Sequence, residues 1–380
     1  MNSINRVNLA LRHEIPDRIP LDLGGNQTGI HKIAYKNLIN FLGFKDEIKI
    51  IDANQQLAQP SEEVLNYFNI DTRHVIQITE LSLKKVNPGF IGYKDIWGIT
   101  RGYRTNSKEN IMYLEIIKNP LANFKLKDLS YYDWPDPLNK DLITFTNNKA
   151  RELKQKTDFA VVSRSINGIF EQCWKMRGME NFLIDLISNK PFAERLLDII
   201  TDYVLEFCDA YLDKAGKYFD VIFIYDDIAM QNGPMLSPGI YKEMIKPRHK
   251  MILDKIHSKT HAKICYHSCG SIIKFIDDFI EIGVDFLNPV QLSAYGMDAF
   301  KLKSNYGEKI GFWGGGVDTQ KIFPFGKPED IINDVRKNIK TLMTNGGYIF
   351  NPIHCIQPDV PPENIIAAFK AAIDYGKYCK

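Results

Sequence analysis

The chain alternates short apolar runs with longer segments in which apolar residues recur at helical spacing. Several of the runs are continuously apolar, which is typical of parallel strands that are buried on both faces. Helix boundaries are also readable: Ser237 and Pro238 suit an N-cap and first helical residue, and Asn345-Gly346 suits a helix end. The eight candidate strands are residues 18–24, 71–78, 159–165, 220–227, 262–268, 284–289, 309–315 and 347–352.

Eight strand–helix units predict an α/β fold of the (β/α)₈ barrel type, formed by residues 1–380 as a single domain. A doubly wound sheet is the alternative, but no Gly-rich phosphate loop follows the first strand in the usual form. Residues 88–120 are rich in glycine and aromatic residues and predict a hairpin-like insertion after the second strand.

Charge and composition narrow the function classes. Lys and Arg number 48 and Asp and Glu 46, so no global field favours nucleic acid or an anionic membrane. No stretch approaches the length of a membrane-spanning apolar helix, and the N-terminal segment does not resemble a signal peptide. We therefore expect a cytoplasmic protein with reduced cysteines, which are free to bind metal.

In a (β/α)₈ barrel the functional residues lie at the C-terminal ends of the strands, and polar residues collect at almost every such end here. Adjacent strand residues face opposite ways, so one member of Asp226-Asp227 is expected in the barrel mouth and the other in the next loop. Asp318 suits a helix cap as well as a binding role. The predicted catalytic residues are Asp226, Asp227 and Glu171, and the predicted substrate-binding residues are Asp22, Asn167, Asn288, Asp318 and His354.

The stretch "CYHSCGS" (residues 265–271) carries the most specific chemistry. In an extended strand, Cys265, His267 and Cys269 share one face, with Cys265 deeper and therefore assigned to the core. Cys355 follows the eighth strand and supplies a third donor. Three nitrogen and sulfur ligands with an open fourth position suit a catalytic zinc ion. His267, Cys269 and Cys355 are accordingly the predicted metal ligands.

Two other interpretations of these cysteines remain open. In the first, Cys269 and Cys355 are small buried apolar residues, as free cysteines often are. Alternatively, one of them is a nucleophile with His267 or His354 as its base, although nothing in the sequence indicates an acyl substrate.

Several motifs resemble the uroporphyrinogen decarboxylase superfamily over essentially the whole chain. They are "IPDRIPLDLGG", "HSCGSI", "GVDFLNPVQ", "FWGGGVDTQ" and "NPIHCIQPDVPPENI". The superfamily implies a (β/α)₈ barrel. Its haem-pathway decarboxylase works without metal and holds substrate carboxylates with an arginine-rich N-terminal loop, whereas the corresponding segment here, "LDLGGNQTGIHK", has no arginine.

The chain is more similar to the corrinoid-dependent methyltransferase branch. That resemblance implies a zinc ion (Zn2+) on His267, Cys269 and Cys355, with His354, Glu171 or Asp226 as substitutes for Cys355. It also implies methyl transfer between a small molecule, either a methyl ether or a thiol, and the cobalt of a corrinoid on a separate corrinoid-binding protein. The alternatives are a metal-free decarboxylase of a tetrapyrrole or other carboxylate, and a non-catalytic binding barrel.

Overall fold

A curved parallel sheet forms the centre of the protein in a computed structural model that describes residues 1–78, 82–105 and 113–378. The central strand, Lys263–His267, is buried on both faces except at its first residue, in agreement with its apolar sequence. Across the sheet the strands are Tyr348–Ile349, Gly311–Trp313, Phe286–Asn288, Lys263–His267, Val221–Tyr225, Ala160–Ser163 and Thr72–Val75, and Ile166–Asn167 also pairs with Val221–Tyr225.

The first predicted strand, residues 18–24, contributes only isolated bridges. Leu21 pairs in parallel with Phe350, and the Leu21 carbonyl accepts a 2.9 Å hydrogen bond from the Asp71 N–H group. Pro20 cannot donate to a strand ladder, which helps to explain why a regular strand does not form there. The segment nevertheless connects the two outer strands, and the predicted (β/α)₈ barrel fold is confirmed.

Helices cover the outer face of the sheet, except Ser3–Leu11, which packs against the apolar cluster inside the barrel. Ser237 caps its helix by accepting the Ile240 N–H at 3.2 Å, as predicted. The helices are Ser3–Leu11, Lys32–Leu42, Glu62–Tyr67, Lys140–Lys156, Ile169–Arg177, Met179–Ser188, Lys190–Ala215, Pro238–Ile240, Lys246–Lys259, Ile276–Glu281, Ala299–Tyr306, Ile322–Phe325, Pro328–Leu342 and Pro362–Tyr375. Leu126–Tyr131 and Gly216–Tyr218 form short 3₁₀ turns, and Tyr241–Ile245 is a wider π-type turn.

An antiparallel sheet occupies most of the region that was predicted as a hairpin-like insertion. Its strands are Lys84–Asn87, Phe90–Lys94, Thr100–Arg104 and Glu115–Lys118, so the sheet starts before residue 88. Part of the predicted range 88–120, residues 106–112, lies outside the described residues. Two smaller sheets are formed by Ile30–His31, Ile50–Asp52 and Leu57–Ala58, and by Ala229–Met230 with Gly233–Pro234.

The inside of the barrel is filled by its own apolar cluster, which is separate from the large core between sheet and helices. Cys265, predicted to be core, is fully buried there with Phe223, Phe286 and Trp313. This filling closes the lower part of the barrel, so the functional residues can only be reached at the C-terminal ends of the strands. Among the described helices, none has the length and apolarity needed to cross a membrane.

Candidate active site

A cavity of about 400 Å³ opens at the C-terminal ends of the strands. It is bounded by the strand ends, by residues 52–55 and by the antiparallel sheet, which contributes Trp97 and Arg101. Of the residues predicted for the site, those that line this cavity are Asn167, Glu171, Asp227, His267 and His354.

Three potential metal donors meet at one side of this cavity. Ligand atoms of Asp227, His267 and Cys269 all lie within 4.8 Å of one another. The Cys269 Sγ atom is 3.5 Å from His267 Nε2, which in turn is 3.9 Å from Asp227 Oδ1. The backbone N–H of Cys269 also donates to Asp227 Oδ1 at 2.8 Å, which fixes the carboxylate beside the thiol. Nitrogen, sulfur and oxygen donors are thus brought to one point.

Asn288 sets the orientation of the His267 ring. The sheet register places the two residues side by side, and His267 Nδ1 lies 2.5 Å from Asn288 Oδ1. Because an amide oxygen only accepts, Nδ1 carries the proton and Nε2 presents its lone pair to Cys269 and Asp227. The Asn288 amide nitrogen donates to the Trp313 carbonyl at 3.0 Å. Asn288 was predicted to bind substrate, but it is fully buried and supports His267 instead.

Burial shifts the protonation of all three donors. It lowers the pKa of His267 to about 4, so the imidazole is neutral at pH 7. It raises the pKa of the Cys269 thiol well above its ordinary value, and the nearby Asp227 carboxylate adds to this effect. Burial also raises the pKa of Asp227 to about 6, against the hydrogen bond from Cys269. A protonated thiol is a poor nucleophile, so without a metal ion this arrangement does not favour covalent catalysis by Cys269.

Cys355, the predicted third ligand, does not belong to this donor group. Its Sγ accepts a hydrogen bond from the Gly29 N–H at 3.3 Å and donates to the Asn26 carbonyl at 3.4 Å. The side chain is fully buried against Ile51 and Leu57, and burial raises the pKa of its thiol to about 12. In this arrangement Asp227 takes the third place beside His267 and Cys269, and metal binding by Cys355 stays a prediction.

Asp226 and Asp227 face different ways, as the strand alternation predicts, but Asp226 contacts the loop and helix before its own strand and not the next loop. The Asp226 carboxylate is buried and accepts the N–H groups of Phe170 at 2.9 Å and Glu171 at 2.6 Å. It therefore holds the start of helix Ile169–Arg177. The Asp226 Oδ2 atom also lies 2.9 Å from His249 Nε2. Only Asp227 of the pair lines the cavity.

Glu171 and Lys175 form an ion pair one helical turn apart on the cavity wall. The Glu171 Oε1 and Lys175 Nζ atoms are 2.5 Å apart. Burial raises the pKa of Glu171 although Lys175 opposes this, while the Glu171 carboxylate raises the pKa of Lys175 against the effect of burial. Sequence reasoning found Glu171 but missed Lys175, although the i,i+4 spacing on a helix that follows a barrel strand was a usable signal.

Two further predicted binding residues do not line the cavity. Asp22 is fully buried and accepts hydrogen bonds from His74 Nε2 at 2.7 Å and Trp313 Nε1 at 2.9 Å, which links the first barrel segment to strands Thr72–Val75 and Gly311–Trp313. Asp318 accepts the backbone N–H groups of residues 320 and 321 and thus shapes its own turn. Helix Ile322–Phe325 has Lys321 as its N-cap residue, so Asp318 forms the turn before that helix and is not its cap.

The cavity also contains residues that sequence reasoning did not select, including Arg101 and Arg164. Arg101 comes from the antiparallel sheet and is 3.5 Å from Asp95 Oδ2. Arg164 follows strand Ala160–Ser163 directly. The strand-end rule could have found Arg164, but no local pattern shows that the antiparallel sheet reaches the barrel mouth.

Fold and site together define an α/β barrel protein with a polar, donor-rich cavity at its mouth. A family model described as "Uroporphyrinogen decarboxylase (URO-D)" matches residues 117–375. The chain therefore belongs to the uroporphyrinogen decarboxylase family, in agreement with the resemblance in its motifs.

The chain is similar to one curated protein and to one solved structure. It is 26% identical over 223 residues to the uroporphyrinogen decarboxylase of Pseudoalteromonas translucida (strain TAC 125), a match over 54% of this chain and 57% of that protein. The chain thus spans little more than half the length of this curated relative. A solved methyltransferase from Methanosarcina mazei is similar over 99% of both chains, with a TM-score of 0.66 and 18% identity. At that identity the likeness establishes the common fold.

Proposed function

We propose that this protein is a zinc-dependent methyltransferase. It moves a methyl group between a small substrate and the cobalt of a corrinoid carried by a separate corrinoid-binding protein. The observation that carries the proposal is the donor group of Asp227, His267 and Cys269 at the cavity, with ligand atoms within 4.8 Å of one another. The methyltransferase from Methanosarcina mazei, which shares the fold, supports the reaction class.

The donor group fits zinc in its chemistry. A thiol and an imidazole select zinc over magnesium or calcium, and a carboxylate oxygen is also an ordinary zinc ligand. The hydrogen bond from His267 Nδ1 to Asn288 is the outer-shell contact that holds a metal-binding histidine in place. A bound zinc ion supplies Lewis acidity, either toward an ether oxygen or by stabilising a substrate thiolate at neutral pH.

The other residues of the cavity bind and polarise the substrate. The Lys175 ammonium group, held by Glu171, lines the same cavity as His267 and places a positive charge there. Such a charge stabilises an alkoxide or phenolate leaving group in ether cleavage, or a thiolate in the opposite direction of transfer. In both directions these side chains act by positioning and electrostatics.

A metal-free decarboxylase is the second candidate, because the curated relative is a uroporphyrinogen decarboxylase. Against it, the segment at residues 21–32 contributes Asn26 and Gln27 to the cavity in place of arginines. Arg101 and Lys175 are already paired with Asp95 and Glu171. Arg164 is the one cation without such a partner among the described residues that line the cavity, whereas a substrate with several carboxylates needs several available cations.

The experiment combines metal analysis with two activity assays on the same preparation. We expect about one zinc per chain by mass spectrometry, and loss of zinc in His267→Ala and Cys269→Ser. Visible absorbance follows methyl transfer from methylcobalamin to thiols, or from O-methyl aromatic compounds to cob(I)alamin. Decarboxylation of a tetrapyrrole carboxylate by chelator-treated protein, without methyl transfer, would refute the proposal. Tolerance of both substitutions with no turnover would indicate a non-catalytic barrel.

A further inference from the structure

A second cavity of about 520 Å³ adjoins the candidate active site. Trp97, Arg164, Ser165 and Asn167 line both cavities, so the two spaces meet at these side chains. A ligand whose reacting end lies near His267 can therefore extend past Arg164 into the second space.

Arg164 stands out among the cations at this boundary. Of the lysines and arginines that line either cavity, Lys175 is paired with Glu171 and Arg101 with Asp95. The Arg164 guanidinium has no hydrogen bond or ion pair with any residue in the described ranges, and it is half-buried. A guanidinium offers a planar fork of donors that matches a carboxylate. Its free donors favour an anionic group at the junction.

The walls of the second cavity are mainly apolar, whereas those of the first cavity are mainly polar. They include the aromatic side chains of Trp97, Tyr203 and Phe207, and the Trp97 and Tyr203 rings are 4.4 Å apart between centroids. Leu138 and Val204 complete an apolar surface. A space with aromatic walls is best filled by an apolar, flat group, because burying such a group removes apolar area from water.

We propose that the second cavity is a binding site for the aromatic part of a carboxylate-bearing ligand whose carboxylate pairs with Arg164. The inference rests on the proposed function only in taking this ligand to be the substrate of the same site. It narrows the substrate class to carboxylates that carry an aromatic group, with the reacting group directed toward His267.

Asp136 is the competing group in the second cavity. Its carboxylate lines the space and accepts the Leu138 N–H at 2.8 Å, and it forms no ion pair with Arg164 in the part of the chain that is described. A negative charge near the junction repels a bound carboxylate. Asp136→Asn should therefore strengthen the binding of an anionic ligand a few-fold.

Calorimetric titration of the full chain tests the proposal with three probes: 4-phenylbutanoate, the neutral 4-phenylbutanamide and acetate. We expect the aryl carboxylate to bind more tightly than its amide. Arg164→Gln should weaken it by about 10- to 100-fold, the range for a hydrogen bond to a charged group. Leu138→Asn should weaken 4-phenylbutanoate but leave acetate unchanged. Arg336→Gln, at an exposed arginine that lines neither cavity, is the matched control and should change nothing.

Two results would overturn the inference: equal affinity of the acid and the amide, or an unchanged preference in Arg164→Gln. Repeating the titration with zinc-depleted protein and with Cys269→Ser separates this inference from the proposed function. Binding that depends on Arg164 and persists without metal supports the inference even if methyl transfer is never found. Binding that vanishes with the metal places the carboxylate on zinc and contradicts it.

Discussion

Replacing Asn288 by leucine removes the support of His267 while keeping the side chain at similar size. The change leaves the Nδ1–H group of His267 and the carbonyl of Trp313 without their partners. Loss of an outer-shell contact lowers metal affinity by about 10- to 100-fold, or about 1.4–2.7 kcal/mol. Two unsatisfied buried groups also cost about 2–6 kcal/mol of folding free energy, a large part of a typical total.

The assay is zinc affinity, measured by competition with a chromophoric chelator on protein shown to be folded by near-ultraviolet circular dichroism. Asn364→Leu is the matched control. Asn364 is equally buried and donates to two backbone carbonyls, at residues 323 and 326, so it should lose similar stability. We expect weaker zinc binding in Asn288→Leu alone. Equal zinc affinity in both folded variants would refute the assigned role of Asn288.

Three further predictions concern protons and the third ligand. Because burial keeps the Cys269 thiol protonated and raises the pKa of Asp227 to about 6, zinc binding by His267, Cys269 and Asp227 should release about one proton at pH 8 and nearly two at pH 5. Calorimetry in buffers of different ionisation enthalpy counts the released protons. Two protons at pH 8 would indicate that the third ligand is the Cys355 thiol and not Asp227. Correspondingly, Asp227→Asn should weaken zinc binding at least tenfold, and Cys355→Ser should not. Burial lowers the pKa of Lys303 to about 8. Between about pH 8 and 10 the unfolded chain therefore binds more protons than the folded chain, and the stability of the native state rises with pH. In urea denaturation, the free energy of unfolding of the wild type should increase relative to that of Lys303→Met as the pH is raised over that range. A difference that stays constant with pH would contradict the lowered pKa of Lys303.

The fold was largely predictable because the barrel strands are buried on both faces. Runs such as residues 220–227 and 262–268 are apolar for that reason, and each contains an observed strand. The predicted ranges were too long at their C-terminal ends, where the backbone turns into the active-site loops. The first strand was the exception, since residues 18–24 pair only through bridges around Pro20.

The site was predictable wherever a local rule applied. Strand alternation separated Asp226 from Asp227, and the spacing of His267 and Cys269 placed both at the mouth. The role of Asn288 could not be predicted, because it depends on the register between two strands that a helix separates in the sequence. The position of Cys355 likewise depends on the loop after the last strand, whose hydrogen bonds to residues 26 and 29 leave no local signal.

The donor group and the second cavity are formed by different parts of the chain. His267 and Cys269 lie at the end of the central strand, and they are held by Asn288 on one side and by Asp227 on the other. The second cavity is instead walled by helix Lys190–Ala215, by the loop residues 135–139 and by residues 96–97 next to the antiparallel sheet. Rigid neighbours on both sides suit a metal centre that must keep its geometry, whereas the loop residues of the second cavity tolerate substitution. Changes around Arg164 should therefore alter which ligands bind while the donor group stays intact.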